Sequence, residues 1–160
     1  MTVPAQLKTF FGERKVKHEV IAHPQAFTAQ EVAHAIHKTG KVLAKTVVIE
    51  ADGKYVMTVV PAHHKVNLTA VKTVLGAKDV HLTKEEKLRD LFPDCQLGAM
   101  PPIGPIYNMS VLLSKALAEK PEIIFNACTH TDCVKMKFAD FQKVVNPTMA
   151  EISDIPPEGR

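Results

Sequence analysis

Lys45 interrupts an apolar run, Val42-Leu43-Ala44-Lys45-Thr46-Val47-Val48-Ile49, whose Val and Ile content predicts a buried strand. An ammonium carried into such a strand needs water, a carboxylate or a ligand, because burying it unpaired is costly. A basic side chain on a rigid strand suits the anchoring of a substrate phosphate or carboxylate. The competing reading is an edge-strand Lys whose head snorkels to water. Two other segments carry chemistry. Gly98 to Gly104 holds Pro101 and Pro102; prolines fix the backbone and glycines let amides approach a ligand. Amides so placed can hold a carbonyl oxygen or oxyanion, although a plain connector has the same composition. Asn126 to His130 is a turn after another predicted strand. Together these segments predict a small cleft with no obvious protein nucleophile.

Other chemistries are weaker. Glu31, His34 and His37 would share a helix face, but without the His-Glu-x-x-His spacing of zinc proteases; a solvated polar face is the better reading. His63 and His64 are neighbours expected to point to opposite sides of an extended segment. Cys128 and Cys133 lack a second pair, so neither metal nor cofactor is expected. No Gly-x-Ser-x-Gly elbow surrounds Ser110, Ser114 or Ser153. Cys128 lies two residues before His130, yet a Cys-His pair is set by space rather than sequence; a thiol buried at a strand end is preferred. Neither a Walker pattern nor a dinucleotide-binding glycine pattern is present.

The elements that must position these residues follow from local signals. Val3, Leu7, Phe10 and Phe11 are helix-spaced across 3–15, and His18 to Ala22 is a short strand. Thr28 with Glu31 forms a capping box for a helix to about His37. Strands Val42 to Glu50 and Tyr55 to Val60 meet across Ala51-Asp52-Gly53-Lys54, a hairpin. Asn67 caps a helix through Leu75 that Gly76 ends. Asp79 to Leu82 is a strand, and Thr83 with Glu86 is a second capping box for a helix closed by Pro93. An irregular segment, Asp94 to Pro105, is long enough to suggest function. Ile106 to Leu113, Glu122 to Asn126 and Cys133 to Lys137 are strands, and Phe138 to Val145 is a helix. The expected architecture is α+β, a mixed, curved, barrel-like sheet of six to seven strands with flanking helices.

The chain has 160 residues, 46% hydrophobic and 23% charged, with a net charge of +3. This predicts one domain, residues 1–147, and a polar tail, 148–160. No apolar stretch reaches membrane-span length and the first residues lack a signal core, so a cytoplasmic protein is expected. Three cysteines do not make a disulfide framework, and their odd count suits a reducing compartment. The charge is unconcentrated, which disfavours DNA binding. Sparse aromatics and absent Trp disfavour a single-strand stacking platform.

At these residues the chain resembles the YbaK/prolyl-tRNA synthetase-associated family, free-standing relatives of the synthetase editing (INS) domain, across roughly residues 5–147. Ala44-Lys45-Thr46-Val47-Val48 resembles the strand bearing the family's functional Lys. Gly98-Ala99-Met100-Pro101-Pro102-Ile103-Gly104 resembles its Gly-to-Pro-hydrophobic-Gly loop. Phe125-Asn126-Ala127-Cys128-Thr129-His130 falls at its Gly-containing turn, and His23 with Phe27-Thr28-Ala29-Gln30-Glu31 at its pocket-bordering helix start. The resemblance implies hydrolysis of a wrongly attached small amino acid, such as Ala, Ser or Cys, from tRNA. Water or a substrate hydroxyl or side chain would attack. It implies that Lys45 anchors the aminoacyl-adenosine end and that His130, next to the aminoacyl group, is a general base or a positioning group. Amides near Gly104 would hold the carbonyl, with Gly98 and Pro102 in the same loop. Phe27, Thr28, Thr46, Asn126 and Cys128 would complete the substrate pocket. Implied partners are the acceptor end of aminoacyl-tRNA and an aminoacyl-tRNA synthetase, with no membrane and no DNA. Two departures stand out: Cys128, beside Ala127, replaces the turn glycine, and Ser114 stands where an aspartate often follows the loop strand. The first supports an alternative, a non-catalytic tRNA- or synthetase-binding module. The pocket alone does not choose the amino acid, since a methylene is worth only about 1–3 kcal/mol.

Overall fold

The computed structural model describes residues 5–23 and 43–155. Its centre is the expected hairpin: β2 (Leu43–Ala51) and β3 (Lys54–Pro61) pair antiparallel from Ala44↔Pro61 to Ala51↔Lys54, with β1 (Glu19–Ala22) preceding them in the chain. Asp52 and Gly53 both adopt positive φ, 50° and 82°, the combination whose twist suits a two-residue hairpin turn. The later strands are β4 (Lys65–Val66), β5 (Val80–Leu82), β6 (Ser110–Ser114), β7 (Glu122–Asn126), β8 (Asp132–Lys137), β9 (Thr148–Ala150) and β10 (Ser153–Asp154). The main sheet runs β1-β8-β7-β2-β3-β6-β9, with β5 also paired to β2. It is mixed: β2–β7, β3–β6 and β6–β9 are parallel and the other pairs antiparallel. The expected α+β class holds, with eight strands in this sheet rather than six to seven.

Side chains alternating along the strands feed two apolar layers. One face carries Ala44, Val48, Met57, Val59, Leu113, Phe125 and Val134 against Phe11 of α1 (Ala5–Glu13) and Phe141 of the helix Phe138–Val145. The other carries Ile49, Val60 and Leu112 beneath Val71 of α2 (Leu68–Leu75), joined by Ile152. α2 begins and ends as its sequence predicts. Asn67 Oδ1 accepts the Ala70 N–H at 3.0 Å, and Gly76 is the left-handed C-cap. Asn67 Nδ2 also donates to Asp154 Oδ2 at 2.9 Å, tying the helix start to β10. Asn67→Ala should therefore cost roughly 1 kcal/mol, a typical loss for an N-cap, read as a lower urea midpoint.

Five sequence expectations need correction. The helix α3 (Glu85–Leu91) has Lys84 as N-cap with no side-chain cap bond. Thr83 is instead held by the sheet, its N–H donating to Val48 O, and its hydroxyl is buried without a partner among the described residues. Residues 106–109 are not strand. A 3-10 turn spans Gly104–Tyr107, and left-handed Asn108 redirects the chain into β6. The "tail" is partly sheet: β9 pairs with β6 and β10 with β4, burying Ala150 and Ile152. His63 and His64 lie in a turn closed by His64 N–H to Pro61 O, so their rings meet edge to face at 4.4 Å. Finally, Cys95 and Cys128 are joined by a disulfide, leaving buried Cys133 as the free thiol.

Candidate active site

The parallel pairing of β2 with β7 places the key lysine. Leu43 lies opposite Ile124 and Ala44 opposite Phe125, so the next residues along the two strands are Lys45 and Asn126. Ala44 and Phe125 both enter the main core; Lys45 and Asn126 therefore leave the opposite face. Asn126 pairs with Cys133 on β8, and Lys45 with Val60 on β3. One residue beyond Val59↔Leu113 and opposite Ala150 stands Ser114. Cys133, Asn126, Lys45, Val60 and Ser114 thus form one row across five adjacent strands. Thr46 leaves the other face, where its hydroxyl is buried without a hydrogen-bond partner among the described residues.

Lys45 is half-buried, and this desolvation holds its ammonium below the ordinary lysine range. No carboxylate among the described residues pairs with it. His64 is also held low, first by burial, then by the charges of His63 and Lys45, with Asp154 opposing. Its Nδ1 lies 2.8 Å from Ser153 Oγ, which lies 3.0 Å from Ser114 Oγ. These groups line a polar cleft of about 460 Å³ together with Asn67 and Lys115. Two strand spacings separate Ser114 from Lys45, roughly 10 Å.

The loop and the turn are brought together as the sequence suggested. The Gln96 N–H donates to Cys128 O, and the Cys128 N–H to Ala99 O, both at 2.8 Å. The His130 N–H donates to Gln96 Oε1 at 2.7 Å, and its ring Nε2 donates to Leu97 O at 2.9 Å. Facing a carbonyl, Nε2 must carry the proton. The ring is therefore clamped to the loop through Nε2. Gly98, at φ +87°, rides against it: an added Cβ would sit 3.6 Å from His130 Cε1. Asp132 braces the turn from below, accepting the hydroxyls of Thr129 at 2.7 Å and Thr131 at 3.1 Å.

Cys128 has φ 70°, a left-handed conformation rare for a side-chain-bearing residue. The turn thus keeps the backbone that a glycine would adopt. Tyr107 hydroxyl contacts both sulfurs of the Cys95–Cys128 bridge, at 3.5 and 3.6 Å. Burial, aided by the charge of Asp94, pushes that phenol up to about 12, so it stays protonated. Pro102 and Gly104 are buried in the core-facing part of the loop. Gly104 has an internal reason to be glycine: a Cβ there would overlap the Met109 carbonyl oxygen and stand 2.5 Å from Val111 Cγ2. Phe27 and Thr28, with the capping box and Glu31, His34 and His37, lie outside the described residues. Sequence reasoning missed Gln96 and Cys133. Nothing local marks Gln96, and Cys133 reaches the site only through strand register.

The family described as aminoacyl-tRNA editing domain matches residues 23–144, most of the chain and all five residues of this row. The chain belongs to the aminoacyl-tRNA editing domain family. This editing domain is 33% identical over 110 residues to a proline–tRNA ligase of Bacillus cytotoxicus and 30% identical over 111 residues to that of Bacillus mycoides. Each alignment covers 69% of the chain but 19% of the ligase, so the chain spans about a fifth of these curated relatives. Among solved structures, a hypothetical protein superposes with TM-score 0.84 at 15% identity, covering 93% of this chain and 99% of that one. A candidate trans-editing enzyme for prolyl tRNA synthetase superposes with TM-score 0.80 at 18% identity, covering 93% and 95%. These two superpositions establish the shared fold.

Proposed function

We propose that this editing domain is a trans-acting aminoacyl-tRNA deacylase that removes a small amino acid, Ala, Ser or Cys, from a mischarged tRNA. The observation that carries the reading is Lys45: a half-buried ammonium without a carboxylate partner among the described residues, in an editing-family fold, beside Asn126. A cation so placed is suited to hold an anionic or carbonyl oxygen at the acceptor end. Hydrolysis then balances simply. The water oxygen bonds to the ester carbonyl carbon and the carbonyl electron pair moves onto oxygen. Collapse breaks the bond to the ribose oxygen, which departs with a proton from the water, giving free amino acid and tRNA. No protein nucleophile is required. The polar cleft beside Ser114 offers space on the same face for more of the acceptor strand. A synthetase that delivers the tRNA is the expected partner, and the cytoplasm the expected location.

The test is a panel of tRNAs charged with Ala, Ser or Cys, with release of free amino acid measured with and without chelator. Rapid catalytic release insensitive to chelator is expected. Loss of turnover in chelator would instead favour a metal-dependent hydrolase. Enzymatic rate, after subtraction of spontaneous hydrolysis, should fall on the alkaline side as Lys45 loses its proton. Because burial lowers its proton affinity, that fall should come at lower pH than for an exposed lysine.

A further inference from the structure

Within the row that holds Lys45, a second polar chain runs in the opposite direction from the cleft. Cys133 Sγ donates to Asn126 Oδ1 at 3.7 Å and lies 3.5 Å from His23 Nε2. All three residues are buried: Cys133 0%, Asn126 8% and His23 8% exposed. Burial, reinforced by the charge of Asp132, pushes the Cys133 thiol up to about 12, so it keeps its proton and remains a donor. With its hydrogen committed to Asn126 Oδ1, the sulfur accepts from His23 Nε2, and the chain has a direction: His23 to Cys133 to Asn126. In this chain the amide oxygen is the end of Asn126 that meets Cys133. With the oxygen toward β8, the NH₂ is the end away from β8, and β2 on that side sends Lys45 out of the same face.

An ammonium and an amide NH₂ cannot bond to each other, since both only donate. Two donors side by side in a partly dry site form a place for an acceptor oxygen. The adjacent strands bring them within about 5 Å at the backbone. We infer that Lys45 and Asn126 together hold the carbonyl oxygen of the aminoacyl ester, with Cys133 fixing which end of the Asn126 amide faces it. This rests on the deacylase reading and assigns the oxyanion donors within it. This pair is an alternative to the amides near Gly104, a residue whose lack of a side chain is required by its packing against Met109. When water adds to the carbonyl carbon, the charge that develops on this oxygen falls between the two donors, and it returns to the carbon as the ribose oxygen departs. Asn126 is thus a catalytic residue by contact and Cys133 a positioning residue.

The experiment uses the whole chain and compares Asn126→Asp, Cys133→Ala and Cys133→Ser with wild type. Each variant is assayed for kcat and KM on the tRNA panel and for binding of a non-hydrolysable alanyl-amide analogue of the terminal adenosine. Asn126→Asp keeps shape but replaces the donor by an acceptor; kcat should fall by about 100-fold or more with KM little changed, the signature of an interaction made in the transition state. Cys133→Ala should give a smaller loss, and Cys133→Ser, which restores a donor, should recover most of it. A purely structural thiol would show no such rescue. Near-wild-type kcat in a folded Asn126→Asp protein overturns the donor pair and leaves the deacylase reading standing. Equal losses in Cys133→Ala and Cys133→Ser overturn the positioning role. Wild-type protein that neither turns over any charged tRNA nor binds the analogue overturns the deacylase reading itself, and the donor pair with it.

Discussion

Lys45→Met is expected to lower kcat/KM for deacylation by at least about 100-fold, the loss typical when one charge-stabilising donor is removed from a dry site. Met keeps the apolar stem of the side chain, so packing along β2 is preserved and only the ammonium is lost. Stability should hold or rise, because the folded protein carries this charge half out of water without a carboxylate partner among the described residues. The pH dependence has a definite sign. Burial lowers the proton affinity of Lys45 in the folded state relative to the unfolded chain. Its cost is therefore fully present at pH values below the lowered folded value, and it is relieved as pH rises toward the ordinary lysine range. The stability advantage of Lys45→Met over wild type should shrink over that alkaline window. A variant that keeps full deacylation, as measured by release of free amino acid, would remove Lys45 from the mechanism.

Gly104→Ala is expected to destabilise the protein by about 3 kcal/mol, the upper end of the usual range for overpacking. The added carbon would meet the Met109 carbonyl oxygen and Val111 Cγ2 at the buried first residue of the 3-10 turn. Neither neighbour can swing away easily. Gly104 O itself accepts the Met109 N–H at 3.1 Å, and Val111 belongs to the main core. Urea unfolding reads the loss directly. Gly12→Ala is the control: nothing lies within 4 Å of the added carbon on α1, so stability should hold or improve. If Gly104→Ala unfolds like wild type, the turn has room for a side chain and the packing argument fails.

What could be read from the sequence was local. The Asp-Gly turn set the β2–β3 hairpin, Asn67 and Gly76 bounded α2, and the apolar pattern of 138–145 marked the last helix. Lys45 stood out because a charge in a Val-rich run is costly whatever the fold. The rest depended on partners distant in the chain. β9 is three residues long and gains its place only by pairing with β6. Thr83 resembles an N-cap, but Val48 fixes its backbone first. The bridge of Cys95 to Cys128 joins residues 33 apart in sequence through a loop with no periodicity. The adjacency of Lys45, Asn126 and Cys133 arises from a parallel register between β2 and β7 that no local pattern encodes. The resemblance to editing domains pointed to Lys45 and Asn126; the β2–β7 register is what sets them side by side.

Turnover is decided by single-turnover deacylation of Ala-, Ser- and Cys-charged tRNA by wild-type protein in the presence of chelator. Release of at least one of these amino acids well above the spontaneous rate is expected, with that release lost in Lys45→Met. Tight binding of the charged tRNAs with release no faster than in buffer would contradict it and identify the chain as a binding module.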